Sequence, residues 1–183
     1  MIPLLSSLDA RVLDILYAYR DIPTVKIFIG VTELGGVVFV SGLVACLGLV
    51  FLLRRKYAYL AGLVISVAGA AGIMWVLKHL IIRPRPDIYY QAYPESGFSF
   101  PSGHATLAVA FYGFCIVLIR WFIPSPVWKN LATSVLTFLI AAIVFSRIYL
   151  GVHYLSDVVA GMALGGLFVW IGTWVVQRIG DRV

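Results

Sequence analysis

Three short stretches of this chain carry side chains that can do chemistry together. They are Lys78 with Arg85, the run Pro101-Ser102-Gly103-His104, and Arg147 followed by His153 and Asp157. Lys78, Arg85 and Arg147 are cations at neutral pH, and their convergence in a partly desolvated place calls for a polyanion. Arg offers a planar fork to two oxygens and Lys a point charge, a pairing that suits a tetrahedral phosphate. Ser102 and Gly103 before a helix add backbone N–H groups at its positive end, and glycine permits close approach. His153 and Asp157 are four apart. If their helix begins at or before His153, the carboxylate takes the imidazole Nδ1–H and leaves Nε2 free as nucleophile or base. His104, from another segment, is placed to supply a proton on the far side of phosphorus. Nucleophile, orienting carboxylate, charge clamp and leaving-group acid make a complete set for in-line phosphoryl transfer.

Taken singly these signals are weak. A His-x-x-x-Asp on a helix is more often structural, and Pro-Ser-Gly before a helix is commonly a cap and turn. Arg83 reads equally as an interfacial anchor or a site residue, and His79 is expected to face a neighbouring helix or the interface. The weight comes from the elements that position the three stretches.

The chain has 183 residues, 62% of them hydrophobic and 12% charged, with a mean hydropathy of +1.00. So few charges do not cover a water-soluble monomer. Crossing a hydrocarbon core takes about 20 apolar residues as a helix. Five runs qualify: Leu34–Leu53, Tyr57–Leu77, His104–Ile123, Val127–Leu150 and Val158–Gln177. The fold class is therefore an all-α integral membrane helical bundle, one domain over residues 1–183. An amphipathic interfacial helix precedes it, with Leu8, Val12, Ile15, Leu16 and Tyr19 on one face and Asp9, Arg11 and Asp14 on the other. A sixth span including Thr24–Thr32 stays open. Met1 to Leu8 lacks a basic n-region, so no cleavable signal peptide is expected.

The net charge of +6 is scattered singly between apolar runs, which argues against nucleic acid as a partner. Cys46 and Cys115 sit inside apolar runs and give neither a disulfide framework nor a metal spacing. Gly161 and Gly165 form a Gly-x-x-x-Gly, read as close helix packing. Lys and Arg in short loops mark the cytoplasmic side, here Arg54-Arg55-Lys56, Arg120 with Lys129, and Arg178 with Arg182. The three chemical stretches then share the opposite face.

Lys78-x6-Arg85-Pro86, Pro101-Ser102-Gly103-His104 and Ser146-Arg147-x5-His153-x3-Asp157 together resemble the three-part signature of the type 2 phosphatidic acid phosphatase superfamily. The resemblance implies a helical bundle in which His153 attacks phosphorus to form a phosphohistidine and Asp157 orients it. His104 protonates the leaving group and then activates water; Lys78, Arg85 and Arg147 clamp the phosphoryl oxygens, assisted by Ser102 and the Gly103 N–H. It implies no metal and no cofactor, and the sequence offers no separate carboxylate cluster to hold one. Membrane relatives commonly show six spans, one more than the runs counted here.

A site at the lipid boundary favours an amphiphile that leaves its tail in the bilayer. The expected substrate is a membrane lipid phosphate or pyrophosphate: phosphatidylglycerophosphate, undecaprenyl pyrophosphate or phosphatidic acid. Hydrolysis is expected at the extracytoplasmic face of the plasma membrane. Tyr89, Tyr90 and Tyr93 read as an interfacial belt, and Glu95 as a group that repels a second phosphate or binds a hydroxyl. The alternatives are a vanadate-dependent peroxidase and a non-catalytic protein that binds or transports anionic lipids.

Overall fold

The computed structural model describes residues 3–180, so Arg182, used above for orientation, lies outside the described residues. Eight α-helices follow one another: α1 (Pro3–Ala18), α2 (Ile22–Glu33), α3 (Val37–Leu53), α4 (Tyr57–Val64), α5 (Ala70–Ile81), α6 (Gly103–Phe122), α7 (Pro126–Tyr149) and α8 (Leu155–Gly180). A π-helical turn, Ile65–Gly69, joins α4 to α5 in one continuous rod. No strand occurs among the described residues.

Five units are long and apolar enough to cross a bilayer: Ile22–Leu53, Tyr57–Ile81, Gly103–Phe122, Pro126–Tyr149 and Leu155–Gly180. The first corrects the sequence boundaries. Asp21 accepts the Thr24 N–H at 2.9 Å and Pro23 sits in the first turn, so a helix starts at Ile22. It breaks at Leu34–Gly36 and resumes as α3. At about 1.5 Å per residue α2 is about 18 Å long, too short to cross alone. It packs against α7 and leads directly into α3, so the open sixth span resolves into the entry to the first.

The core lies where α6 meets α7, α8 and the α4–α5 rod, around fully buried Leu63, Ala108, Ala110, Phe114 and Ile143. Large apolar side chains such as Val38, Phe138 and Trp170 are exposed on the outer surface, as lipid-facing positions must be. Small residues set the tightest approach. A Cβ on Gly165 would lie 2.7 Å from the Thr106 carbonyl oxygen, and one on Gly161 would lie 2.7 Å from that of Ser102. The Gly-x-x-x-Gly of α8 thus docks α8 onto the start of α6, within reach of the site residues.

One expectation for α1 changes. Leu8 and Ile15 are exposed and Leu13 is buried, as befits a helix packed on α7 and α8. Asp9, however, is only 3% exposed. Its carboxylate points into the protein, where Arg83 neutralises it at 2.8 Å. Periodicity marks a polar face without saying whether water or a buried cation satisfies it.

Gly165→Val should lower the unfolding temperature in detergent by the equivalent of about 1–3 kcal/mol, the usual cost of overpacking. Gly166→Ala, one residue on with nothing within 4 Å of its added Cβ, should leave it unchanged.

Candidate active site

Four helix ends meet at one end of the bundle. α5 and α7 arrive by their C-termini, carrying Lys78 and Arg147 in the last turn; α6 and α8 depart by their N-termini, carrying His104 and Asp157 in the first. Cations at negative helix ends and a carboxylate at a positive one follow the helix dipole. The Ser102 N–H donates to the Asp157 carbonyl at 3.0 Å and ties the starts of α6 and α8 together. Ile82, with φ of 50°, turns the chain out of α5 into a loop that crosses this end. After α7, Gly151 has φ of 70°, and a Cβ there would collide with the Tyr90 carbonyl. Only glycine fits that corner, which sets His153 beneath the loop.

The structure brings Lys78, Arg85, His104, Arg147, His153 and Asp157 into one cluster. Arg85 Nη1 lies 3.0 Å from His153 Nε2 and also donates to the Val152 carbonyl at 2.9 Å. A guanidinium only donates, so Nε2 accepts and the ring proton sits on Nδ1. On that side Ser99 Oγ is 3.3 Å away and donates to Asp157 Oδ2 at 2.5 Å, while Nδ1 itself lies 3.6 Å from Asp157 Oδ2. The imidazole thus reaches the carboxylate through a hydroxyl. Asp157 also receives the Tyr154 N–H at 3.0 Å and Arg83 Nη1 at 2.6 Å. His153 is fully buried, and burial pushes its pKa down to about 4, against the pull of Asp157 and with the help of Arg147 and Arg85. It is neutral at physiological pH.

The cations form the other wall. Arg147, fully buried, donates to Thr32 Oγ1 at 2.8 Å, Tyr93 Oη at 2.7 Å and Glu95 Oε2 at 2.5 Å. Glu95 Oε1 lies 3.5 Å from Arg85 Nη2, so a single carboxylate spans both guanidinium groups. Burial works against the charged form of Glu95, but Arg147 outweighs it and holds the carboxyl below its ordinary pKa. Burial also lowers the pKa of Arg85, whose remaining bonds go to the Ser96 and Gly97 carbonyls. Lys78 Nζ donates to the Phe98 carbonyl at 2.6 Å. His104 lies within electrostatic reach of Arg147, Glu95, His153 and Arg85, beside the α2–α3 turn at Gly36. Ser102 Oγ is buried without a hydrogen-bond partner, and α6 has neither a side-chain cap nor an acidic residue in its first turn. Its positive end is left open. No group of three or more His, Cys, Asp or Glu suited to a metal occurs among the described residues.

Several functional neighbours carried no sequence signal. Ser99 stands three residues before Ser102 in an irregular loop. Thr32 arrives from α2, 115 positions from the Arg147 it bonds. Tyr93, assigned to the interfacial belt, places its hydroxyl on Arg147. Arg83 is not an interfacial anchor: it is 9% exposed and paired with Asp157 and Asp9. His79 is exposed and bonds the Trp75 carbonyl, away from the site as expected.

The chain is similar to known proteins in sequence and in fold. The PAP2 superfamily matches residues 59–181. Phosphatidylglycerophosphatase B of Bacillus subtilis is 33% identical over 149 residues, 80% of this chain and 72% of that one. The lipid A 1-phosphatase of Rhizobium etli is 34% identical over 118 residues, 57% of this chain but only 45% of its own length. The crystal structure of the transmembrane PAP2 type phosphatidylglycerolphosphate phosphatase from Bacillus subtilis superimposes with a TM-score of 0.84 at 27% identity, over 99% of this chain and 88% of that one. On its family match, its relatives and its fold, this chain belongs to the PAP2 superfamily.

Proposed function

We propose that the chain hydrolyses a phosphomonoester or pyrophosphate of a membrane lipid through a phosphohistidine at His153. The observation that carries the reading is the Glu95 carboxylate bridging Arg147 and Arg85 beside His153 Nε2. An oxyanion already occupies the place where a phosphoryl group would sit. A phosphate dianion brings more charge and more acceptor oxygens to the same donors, and displaces the carboxylate and the Arg85 contact to Nε2.

His153 Nε2 carries the lone pair and attacks phosphorus, forming the N–P bond as the P–O bond to the leaving group breaks. The positive charge that develops on the ring is met through Nδ1–H by Asp157 and Ser99. His104 donates a proton to the departing oxygen, then takes one from the water that cleaves the N–P bond, which frees phosphate and restores both histidines. Arg85, Arg147 and Lys78 hold the equatorial oxygens, and the open N-terminus of α6 at Ser102 and Gly103 adds donors.

The lipid assignment is supported by an apolar cavity of about 490 Å³ opening between α3, the α4–α5 rod and α6, lined by Val40, Val67, Met74 and Leu107. Met74 Sδ lies 3.2 Å from where a Gly103 Cβ would be, so a chain in this groove ends at the phosphate seat. Phosphatidylglycerophosphate and undecaprenyl pyrophosphate are the leading substrates, with phosphatidic acid next. The basic connections at Arg54–Lys56 and at Arg120 with Lys129 favour the cytoplasmic side, which supports a site on the extracytoplasmic face of the plasma membrane.

Four measurements test this reading. His153→Ala should release phosphate from a short-chain lipid phosphate at least about a thousandfold more slowly than wild type. A merely lipid-binding protein would show no hydrolysis to lose. In wild type, kcat/KM should stay level below pH 6 and fall only toward pH 4, where burial has placed the His153 pKa; protonation there removes the lone pair. An acid limb centred near 6.5 would contradict it.

His104→Ala should cost far more with an alkyl ester than with an activated aryl phosphate, whose leaving group needs no proton. Equal losses would remove the acid role. With Cys46 and Cys115 replaced by Ala, an impermeant thiol reagent should label Tyr89→Cys in intact cells and Arg55→Cys only after permeabilisation.

A further inference from the structure

The structure assigns a positioning role to Asp9 and Arg83: Asp9, from α1, shares the Arg83 guanidinium with Asp157 and thereby keeps Asp157 a full-strength acceptor for His153. The assignment rests on the reading of His153 and Asp157 given above.

Arg83 lies between two carboxylates. Nη2 meets Asp9 Oδ2 at 2.8 Å and Nη1 meets Asp157 Oδ1 at 2.6 Å, while the guanidinium stacks on the Tyr154 ring at 4.2 Å. All three charged groups are buried, at 9%, 3% and 0% exposure. Asp9 is fixed from its other side too, since Oδ1 accepts the Ser156 N–H at 2.9 Å and Oδ2 the Ser156 hydroxyl at 2.6 Å. The N-terminal helix therefore caps the first turn of α8 beside the catalytic carboxylate, 148 positions away in the chain.

Charge gives this arrangement its consequence. Two carboxylates and one guanidinium sum to one net negative charge in a medium of low dielectric, where Coulomb interactions are strong. His153 becomes cationic as it attacks, and it does so beside Arg85 and Arg147, both of which oppose a positive ring. The surplus negative charge offsets them. Were Arg83 paired with Asp157 alone, the pair would be neutral and the developing imidazolium would lose its counter-charge on the Asp157 side. Arg83 thus fixes the orientation of Asp157, and Asp9 prevents that fixation from quenching it.

The test compares Asp9→Asn, Arg83→Gln and the double variant with wild type and His153→Ala, on one short-chain lipid phosphate in one detergent, with thermal unfolding of each. Asp9→Asn leaves the neutral pair. Arg83→Gln leaves two buried carboxylates without a cation. The double variant restores one negative charge on Asp157, still held by Ser99 and the Tyr154 N–H. Each single variant should lower kcat about ten- to a hundredfold with KM within about threefold, and the double should turn over at least about fivefold faster than either single. A merely structural clamp gives the opposite order, with the double slowest. Any result in which Asp9→Asn keeps kcat within about fivefold of wild type, or the double is no faster than the singles, overturns the assignment. If one single variant does not fold, the double against the other single carries the same comparison. A wild-type rate for His153→Ala would sink the catalytic reading itself; an inactive His153→Ala beside a fully active Asp9→Asn would sink this assignment alone.

Discussion

Burying guanidinium groups constrains this molecule more than any other interaction. Arg83, Arg85 and Arg147 are at most 10% exposed in their side chains, and an ion taken from water without a partner costs several kcal/mol. Each must be surrounded by oxygen, and the oxygens come from segments far apart in the chain. Arg83 takes two carboxylates. Arg147 takes a threonine, a tyrosine and a glutamate, and Arg85 takes three backbone carbonyls. The irregular loop after α5 owes its course to these requirements, since Ser96, Gly97 and Phe98 each surrender a carbonyl to a cation. Arg20 fastens the loop's other end through the Tyr90 and Tyr149 carbonyls, both at 2.6 Å.

The same bookkeeping sorts structural cations from those that bind a ligand. The charge of Arg83 is already met by two carboxylates that are themselves buried and bonded elsewhere, so an incoming anion has little to gain there. Arg85 and Arg147 share one carboxylate from a loop residue that is 23% exposed, and their other partners are neutral. Exchanging that carboxylate for a phosphate dianion keeps the charge paired and adds oxygens. The open end of α6, with the orphaned Ser102 hydroxyl, lies on the side of the clamp to which α8 is docked at Gly161.

Most of the fold was legible because membrane spans are long, uniform signals; the error fell at the first span, where the charge of Glu33 reads as a boundary although α2 leads directly into α3. Gly35 and Gly36 break α2 from α3 just past that residue. Hydropathy does not register that break, although a Cβ on Gly35 would lie 2.5 Å from Ile143. The candidate site was legible in its motif residues, whose types and spacings point to one chemistry. Its supports were not. Asp9 looked like a water-facing residue of a surface helix and Arg83 like an anchor, because each has meaning only beside the other, and 74 positions separate them. Ser99, Thr32 and Tyr93 are ordinary residue types in ordinary contexts, made important by tertiary contacts alone.

The membrane setting follows from the same constraint. A water-filled cleft would solvate Arg85, Arg147 and Lys78 and weaken their hold on any single anion. Here the ends of four helices and a folded loop bury Arg147 fully and leave Arg85 10% exposed, and the adjoining groove is lined by apolar side chains. A free phosphate entering such a place loses its hydration and gains only the clamp. A lipid headgroup arrives already confined to the interface by its tail, so the search is two-dimensional and the tail never leaves an apolar medium. The clamp then needs to recognise little more than PO₃ and one ester oxygen. On the proposed reading, discrimination among lipids falls to the loop that carries Glu95, since a phosphate takes the place of its carboxylate there.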